Sequence, residues 1–178
     1  MLARHVRLAL IAWALLGISH MQTLAQTNAS DSCKGSNAQI PEPWTAWART
    51  PVAVTAARSS ATQATIAAGI KAAVTLAPAD AVRMAVTTPD GNHRPNAHGG
   101  MLSFHVPNDG TYWVTVSDDL WVDVVQGNAI LMEMDERHGP ACSGITKSLQ
   151  YKLSAGDARI QLSDSSAACV DILVTRRP

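Results

Sequence analysis

The chain has 178 residues, of which 47% are hydrophobic and 16% charged, and its 14 basic residues balance its 14 acidic ones. This length suits one domain with a sizeable core. No basic stripe is present that would bind nucleic acid, and no run of like charge indicates an interaction tail. The composition therefore excludes recognition of nucleic acid through charge and favours a single folded domain.

The first 25 residues have the pattern of a secretory signal peptide. Arg4 and Arg7 precede an apolar run at 8–18, which at about 11 residues is shorter than the roughly 20 that a membrane-spanning helix needs. The pattern predicts a signal helix, cleaved after Ala25, with a retained anchor as the alternative. Cleavage leaves 14 − 2 = 12 basic and 14 acidic residues, a net charge of −2. We expect a periplasmic or secreted protein that does not span the membrane after cleavage.

Three cysteines lie in the mature chain, namely Cys33, Cys142 and Cys169. In an oxidising compartment we expect two of them to pair. Spacing does not choose among the three possible pairings, so all three stay open at this point. Cys169 falls in an apolar strand pattern at 167–174, which predicts a buried small hydrophobic residue and not a reactive thiol.

The mature chain divides into an N-terminal segment, 26–51, and a larger domain, 52–178. The first segment is loop-like and contains three prolines. Trp44 and Trp47 are three residues apart, a spacing that places both on one face of a short helical turn. We expect these two tryptophans to close one end of the core.

The domain from residue 52 onward reads as a series of short strands separated by Gly, Pro, Asn and Asp turns. This spacing is typical of a β-sandwich or barrel. We predict an all-β, jelly-roll-like sandwich of eight or nine strands. The predicted strands are 70–76, 81–87, 101–106, 111–117, 120–126, 129–133, 148–153, 158–162 and 169–175.

The turn at Asp118 and Asp119 decides how two tryptophans lie if the flanking strands form a hairpin. A two-residue turn makes Trp113 and Trp121 point to opposite faces, whereas a three-residue turn places both on one face with Asp123. The second register predicts a flat platform that binds a sugar or peptide. The alternative is a tryptophan in the sandwich core.

Four histidines of the mature chain are candidate metal ligands: His93, His98, His105 and His138. Two histidines with a carboxylate bind ferrous iron, and three histidines bind zinc or copper. Glu133 or Glu136 would supply the carboxylate. The spacing contains neither His-x-His nor His-Glu-x-x-His, so four separate surface histidines are the alternative. Methionine sulfurs would favour Cu²⁺ over Fe²⁺, and the candidates are Met84, Met101, Met132 and Met134.

Three stretches of the second half carry a resemblance to known proteins: Gly-Thr-Tyr at 110–112, Trp-Val-Asp-Val-Val at 121–125 and Gly-Pro-Ala-Cys-Ser-Gly-Ile-Thr-Lys at 139–147. They are similar to a set of small exported bacterial proteins that resemble pre-peptidase C-terminal domains. The resemblance implies a compact jelly-roll-like sandwich and a pairing of Cys33 with Cys142. Cys169 departs from the pattern of the set, and no active site is implied.

Some members of that set bear the name homogentisate 1,2-dioxygenase. That enzyme is a longer, cupin-type protein whose iron-binding motif has no residue-by-residue match in this chain. We expect a binding, accessory or structural role towards an unknown protein or cell-envelope ligand. A metal-dependent oxidoreductase of the dioxygenase name and a carbohydrate- or peptide-binding module are the alternatives.

Overall fold

The computed structural model describes residues 33, 39–87 and 94–178, so the predicted signal peptide lies outside the described residues. Two β-sheets, of six and five strands, pack face to face. Two short 3-10 helices, Thr45–Ala48 and Ala79–Ala81, accompany them. The strands are β1 Val52–Thr55, β2 Ala72–Thr75, β3 Ala77–Pro78, β4 His98–Val106, β5 Gly110–Val116, β6 Trp121–Gln126, β7 Ala129–Ile130, β8 Asp135–His138, β9 Lys147–Leu153, β10 Gly156–Ser165 and β11 Cys169–Arg176.

The strand pairing is that of a jelly roll. The six-stranded sheet has the order β1-β2-β11-β5-β9-β8, and the five-stranded sheet has the order β3-β4-β10-β6-β7. The antiparallel pairs β2 with β11, β4 with β10, β5 with β9 and β6 with β7 are nested one inside the next. A long hairpin rolled over itself gives this arrangement. The predicted all-β, jelly-roll-like sandwich is confirmed.

The core lies between the two sheets and is built from alternate residues of the longer strands. On β4, Leu102, Phe104 and Val106 point inward and are at most 1% exposed. Period-2 alternation places every second side chain on one face of a strand. The same pattern contributes Val114 and Val116 from β5, and further inward residues from β2, β6, β9, β10 and β11.

A second apolar cluster covers the outer face of the six-stranded sheet. Trp113 and Leu173 point outward from β5 and β11, and Trp44 and Trp47 of the N-terminal segment pack on them. The rings of Trp44 and Trp113 meet edge to face at 5.6 Å, and the Trp47 indole N–H donates to the Ser143 carbonyl at 3.0 Å. The expectation that these tryptophans close one end of the core was wrong, because they cover a sheet face.

The disulfide joins Cys33 to Cys142, with the two Cα atoms 5.3 Å apart. This confirms the predicted pairing, and the bond is typical of an oxidising, extracytoplasmic environment. Cys169 is a free thiol and is exposed, so its predicted burial was wrong. It begins β11 on the outward side, opposite Thr75 of β2, while the next residue, Val170, points into the core.

The described residues form eleven strands where eight or nine were predicted. Eight of the nine predicted strands are present, and 81–87 is not a strand. Val86 is held instead by the side chain of Gln161 on β10, whose amide accepts from the Val86 N–H and donates to the Val86 carbonyl, both at 2.9 Å. The predicted strand 129–133 is also shorter, ending at Ile130. Strands β1, β3 and β8 were not predicted, because β1 is largely exposed, β3 has only two residues and β8 reads Asp-Glu-Arg-His without apolar alternation.

None of the helices in the described ranges combines the length and the apolar character that crossing a membrane requires.

Replacing both bonded cysteines, Cys33→Ser with Cys142→Ser, is expected to lower the free energy of unfolding by about 4 kcal/mol. The physical reason is that the bond spans 109 residues of sequence, and its loss frees the unfolded chain. Urea denaturation of the mature protein measures the change. The control Cys169→Ser alters an exposed thiol and is expected to shift stability by less than about 0.5 kcal/mol. An unchanged midpoint in the double variant would contradict this role of the disulfide.

Candidate functional site

The histidines that the structure describes do not converge. His98 and His105 lie seven positions apart on β4, which places them on opposite faces and roughly 23 Å apart. His138 lies on β8 in the other sheet. His105 pairs with Asp157 at 3.0 Å, and the Nδ1–H of His138 donates to the Thr146 carbonyl at 3.1 Å.

These positions do not fit the iron or copper site considered from the sequence. Across residues 39–87 and 94–178, no three His, Cys, Asp or Glu side chains are grouped so that they could hold a metal ion. Met101 is buried at 2% exposure, whereas Met132 is 88% exposed, so these two candidate sulfurs lie in different environments. His93 lies outside the described residues, and its role as a metal ligand stays a prediction.

Trp113 and Trp121 lie in different sheets. β5 pairs with β9 and β11, while β6 pairs with β10 and β7, so the turn at Asp118 and Asp119 crosses between the sheets and forms no hairpin. Neither register considered from the sequence applies. Trp113 is buried at 3% exposure beneath the N-terminal segment, and Trp121 is 60% exposed beside Asp123.

A cleft at Trp121 is the strongest candidate site. It has a volume of about 210 Å³ and opens where the chain crosses from the five-stranded to the six-stranded sheet. We call it the crossing cleft, and its lining residues are Trp121, Val122, Asp123, Leu131, Glu133, Glu136, Lys147, Leu149 and Tyr151.

The crossing cleft exists because β7 ends after two residues. β7 pairs with β6 only at Val125 and Gln126, and one further bond joins the Leu131 N–H to the Val124 carbonyl at 2.8 Å. The chain then leaves for β8 in the other sheet. The first half of β6, which carries Trp121, therefore has an open edge.

The floor of the cleft joins the two sheets. Tyr151 points inward from β9 and is 2% exposed, and its hydroxyl donates to the Val122 carbonyl of β6 at 3.0 Å. Glu136 of β8 stands opposite Leu149 of β9 on the same face. Because these residues come from rigid paired strands, the lining of the cleft is largely preformed.

Burial and like charges act on the acidic groups of the cleft. Burial raises the pKa of Asp123, against the effect of a hydrogen bond from the Trp121 indole. Burial and the nearby Glu136 raise the pKa of Glu133, and the ammonium of Lys147 only partly opposes them. Burial and the same three carboxylates raise the pKa of Tyr151, so its phenol stays protonated. Raised carboxyl pKa values in a cleft are typical of functional sites.

Two of the other cavities in the described chain contain histidines. One of about 510 Å³ contains Asp80, Arg94 and His98 among mostly small residues, and its Arg94 directly follows residues 88–93, which the structure does not describe. Another, of about 390 Å³, contains His105 and Asp157, whose side chains already pair with each other. Neither presents an exposed aromatic ring next to several carboxylates.

Sequence reasoning found Trp121 and Asp123 but missed the rest of the crossing cleft. It considered Glu133 and Glu136 only as metal ligands, and it did not single out Lys147 or Tyr151. These residues come from β8, β9 and the connection before β8, and no spacing along the chain indicates that they meet β6. Only the crossing between the sheets brings them together.

Comparison of the chain with protein-family models, with curated proteins and with solved structures gave no match.

Replacing Asp123 by Asn is expected to raise the free energy of unfolding at pH 7 by about 0.5 kcal/mol, a modest gain because the group is partly solvated. Folding raises the pKa of the Asp123 carboxyl. Such a group stabilises the folded protein when the pH is below its unfolded pKa, and this contribution to stability is lost as the pH rises through its folded pKa. The gain from Asp123→Asn should therefore vanish near about pH 3.

Urea denaturation at both pH values measures this difference. Asp157→Asn is the matched control, since Asp157 has a 90% exposed side chain and its loss should change stability little at either pH. A destabilised Asp123→Asn variant at neutral pH would contradict the expected sign.

Proposed function

We propose that this protein is an exported binding module of the periplasm or cell surface, and that its crossing cleft binds a carbohydrate of the cell envelope. The disulfide between Cys33 and Cys142 supports an oxidising compartment, as does the predicted signal peptide. The absence of any grouped metal ligands among the described residues favours binding over metal chemistry.

The observation that carries the proposal is the exposure of Trp121. This indole is 60% exposed, whereas Trp44, Trp47 and Trp113 are each less than a tenth exposed. Its strand is paired with β10 on the other side, and Asp123 lies two residues along the same strand on the same face. An exposed aromatic ring is a surface on which the apolar face of a sugar stacks.

The carboxylates beside the ring suit a ligand with many hydroxyl groups. Asp123, Glu133 and Glu136 line one cleft without forming a metal site within the described chain, so each can accept a hydrogen bond from a different hydroxyl. The volume of about 210 Å³ is below the roughly 300–1,000 Å³ of sites for drug-sized ligands. It suits one sugar ring, with the rest of the chain outside.

Trp121→Ala is expected to abolish carbohydrate binding, because it removes the stacking surface. The measurement is titration calorimetry of the mature protein and of the variant with tetrasaccharides of glucose, N-acetylglucosamine and glucosamine, because the variant lacks the indole whose emission would report binding. Tryptophan fluorescence of the wild type is a second readout. The other described tryptophans are buried, so a shift of the emission on binding reports Trp121. We expect at least one tetrasaccharide to shift the emission of the wild type.

Val52→Ala is the matched control, since Val52 is 54% exposed but lies on β1, at the edge of the other sheet. It is expected to bind as the wild type does. The proposal is overturned when no tetrasaccharide binds the wild type at about 10 mM, a concentration that would detect even weak affinity. It is also overturned when Trp121→Ala binds the tetrasaccharide with the same affinity as the wild type.

A further inference from the structure

The crossing cleft carries an excess of negative charge. It is lined by three carboxylates, Asp123, Glu133 and Glu136, and by one ammonium group, Lys147. When all four are ionised the net charge is 1 − 3 = −2. Like charges in a shared, partly desolvated site oppose each other, and a ligand of positive charge relieves that repulsion.

The ammonium of the cleft is partly engaged elsewhere. Lys147 Nζ lies 3.6 Å from a carboxylate oxygen of Asp119, which does not line the cleft. The side chain of Lys147 is only 12% exposed, so it is not free to swing across the cleft and neutralise all three carboxylates. The negative excess therefore remains available to a ligand.

The ring of Trp121 also lacks a cation. Two other tryptophans of this protein have one: Lys71 Nζ lies 4.7 Å from the ring centre of Trp47, and Arg137 Cζ lies 5.2 Å from that of Trp113. Among the residues that the structure describes, no cationic side chain stands over Trp121. The negative face of an indole attracts a cation most strongly of the aromatic side chains.

A metal ion does not satisfy these features, because the three carboxylates form no metal-binding group within the described ranges. A larger cation that meets them at separate points does. We propose that the ligand of the crossing cleft is an amino sugar with a free, protonated amine, so that the site prefers glucosamine units to their neutral N-acetylated counterparts. This rests on the proposed carbohydrate-binding function.

The experiment compares the tetramers of glucosamine and N-acetylglucosamine by calorimetry on the mature protein at about pH 6. This acidic pH keeps the sugar amine mostly protonated, because the neighbouring oxygens hold its pKa well below that of a lysine amine. We expect the glucosamine tetramer to bind at least about tenfold more tightly in low salt. The preference should shrink in 1 M NaCl, where the screening length falls to about 3 Å.

Glu133→Gln is expected to reduce the preference for glucosamine severalfold, because it removes one of the three negative charges. Asp157→Asn is the matched control: it removes one carboxylate outside the crossing cleft and is expected to leave the preference unchanged. A preference that survives Glu133→Gln in full would overturn the assignment of the amine to this cleft.

The remaining outcomes separate this inference from the proposed function. Equal affinity for both tetramers overturns the amino-sugar inference and leaves carbohydrate binding standing. If none of the three tetramers binds, both the amino-sugar inference and the proposed carbohydrate binding are overturned. Tighter binding of tetralysine than of the glucosamine tetramer overturns the sugar assignment in favour of a cationic peptide.

Discussion

The nested antiparallel pairing of the strands around one apolar core is the constraint on which the rest of the structure depends. Because each pair lies inside the next, consecutive strands such as β5 and β6 belong to opposite sheets. Residues 118 and 119 therefore cross the edge of the sandwich, and Ser165 of β10 donates to the Asp118 carboxylate at 2.7 Å beside that crossing. The two tryptophans on either side of it consequently occupy opposite sides of the molecule.

The outer faces of the two sheets differ in how their tryptophans are covered. On the six-stranded sheet, Trp113 and Leu173 would expose a large apolar patch, and the N-terminal segment covers them with Trp44 and Trp47. The disulfide to Cys142 and the bond from Trp47 to Ser143 fasten this cover at neighbouring points. On the five-stranded sheet nothing of the described chain covers Trp121. Trp121 is therefore an exposed indole beside the crossing cleft, whereas Trp113 is covered.

The crossing cleft combines carboxyl groups of raised pKa with a frame of paired strands. Burial raises the pKa of Asp123, burial and the nearby Glu136 raise that of Glu133, and the Tyr151 hydroxyl joins the two sheets at the floor of the cleft. Ionising such partly buried carboxyls costs some folding stability. Because β7 pairs with only the last two residues of β6, the first half of β6 has an open edge. The strand arrangement therefore creates the candidate site.

The sequence by itself determined the all-β class and eight of the strands, because period-2 alternation and turn residues are local signals. The pairing of Cys33 with Cys142 followed from a resemblance in those same residues. Only the tertiary structure decided which sheet each strand joins, since partners are chosen by contacts far apart in sequence. That choice placed Trp121 in the open, exposed Cys169, bonded the segment at Val86 to a glutamine, and brought Tyr151 to the floor of a cleft that no spacing predicts.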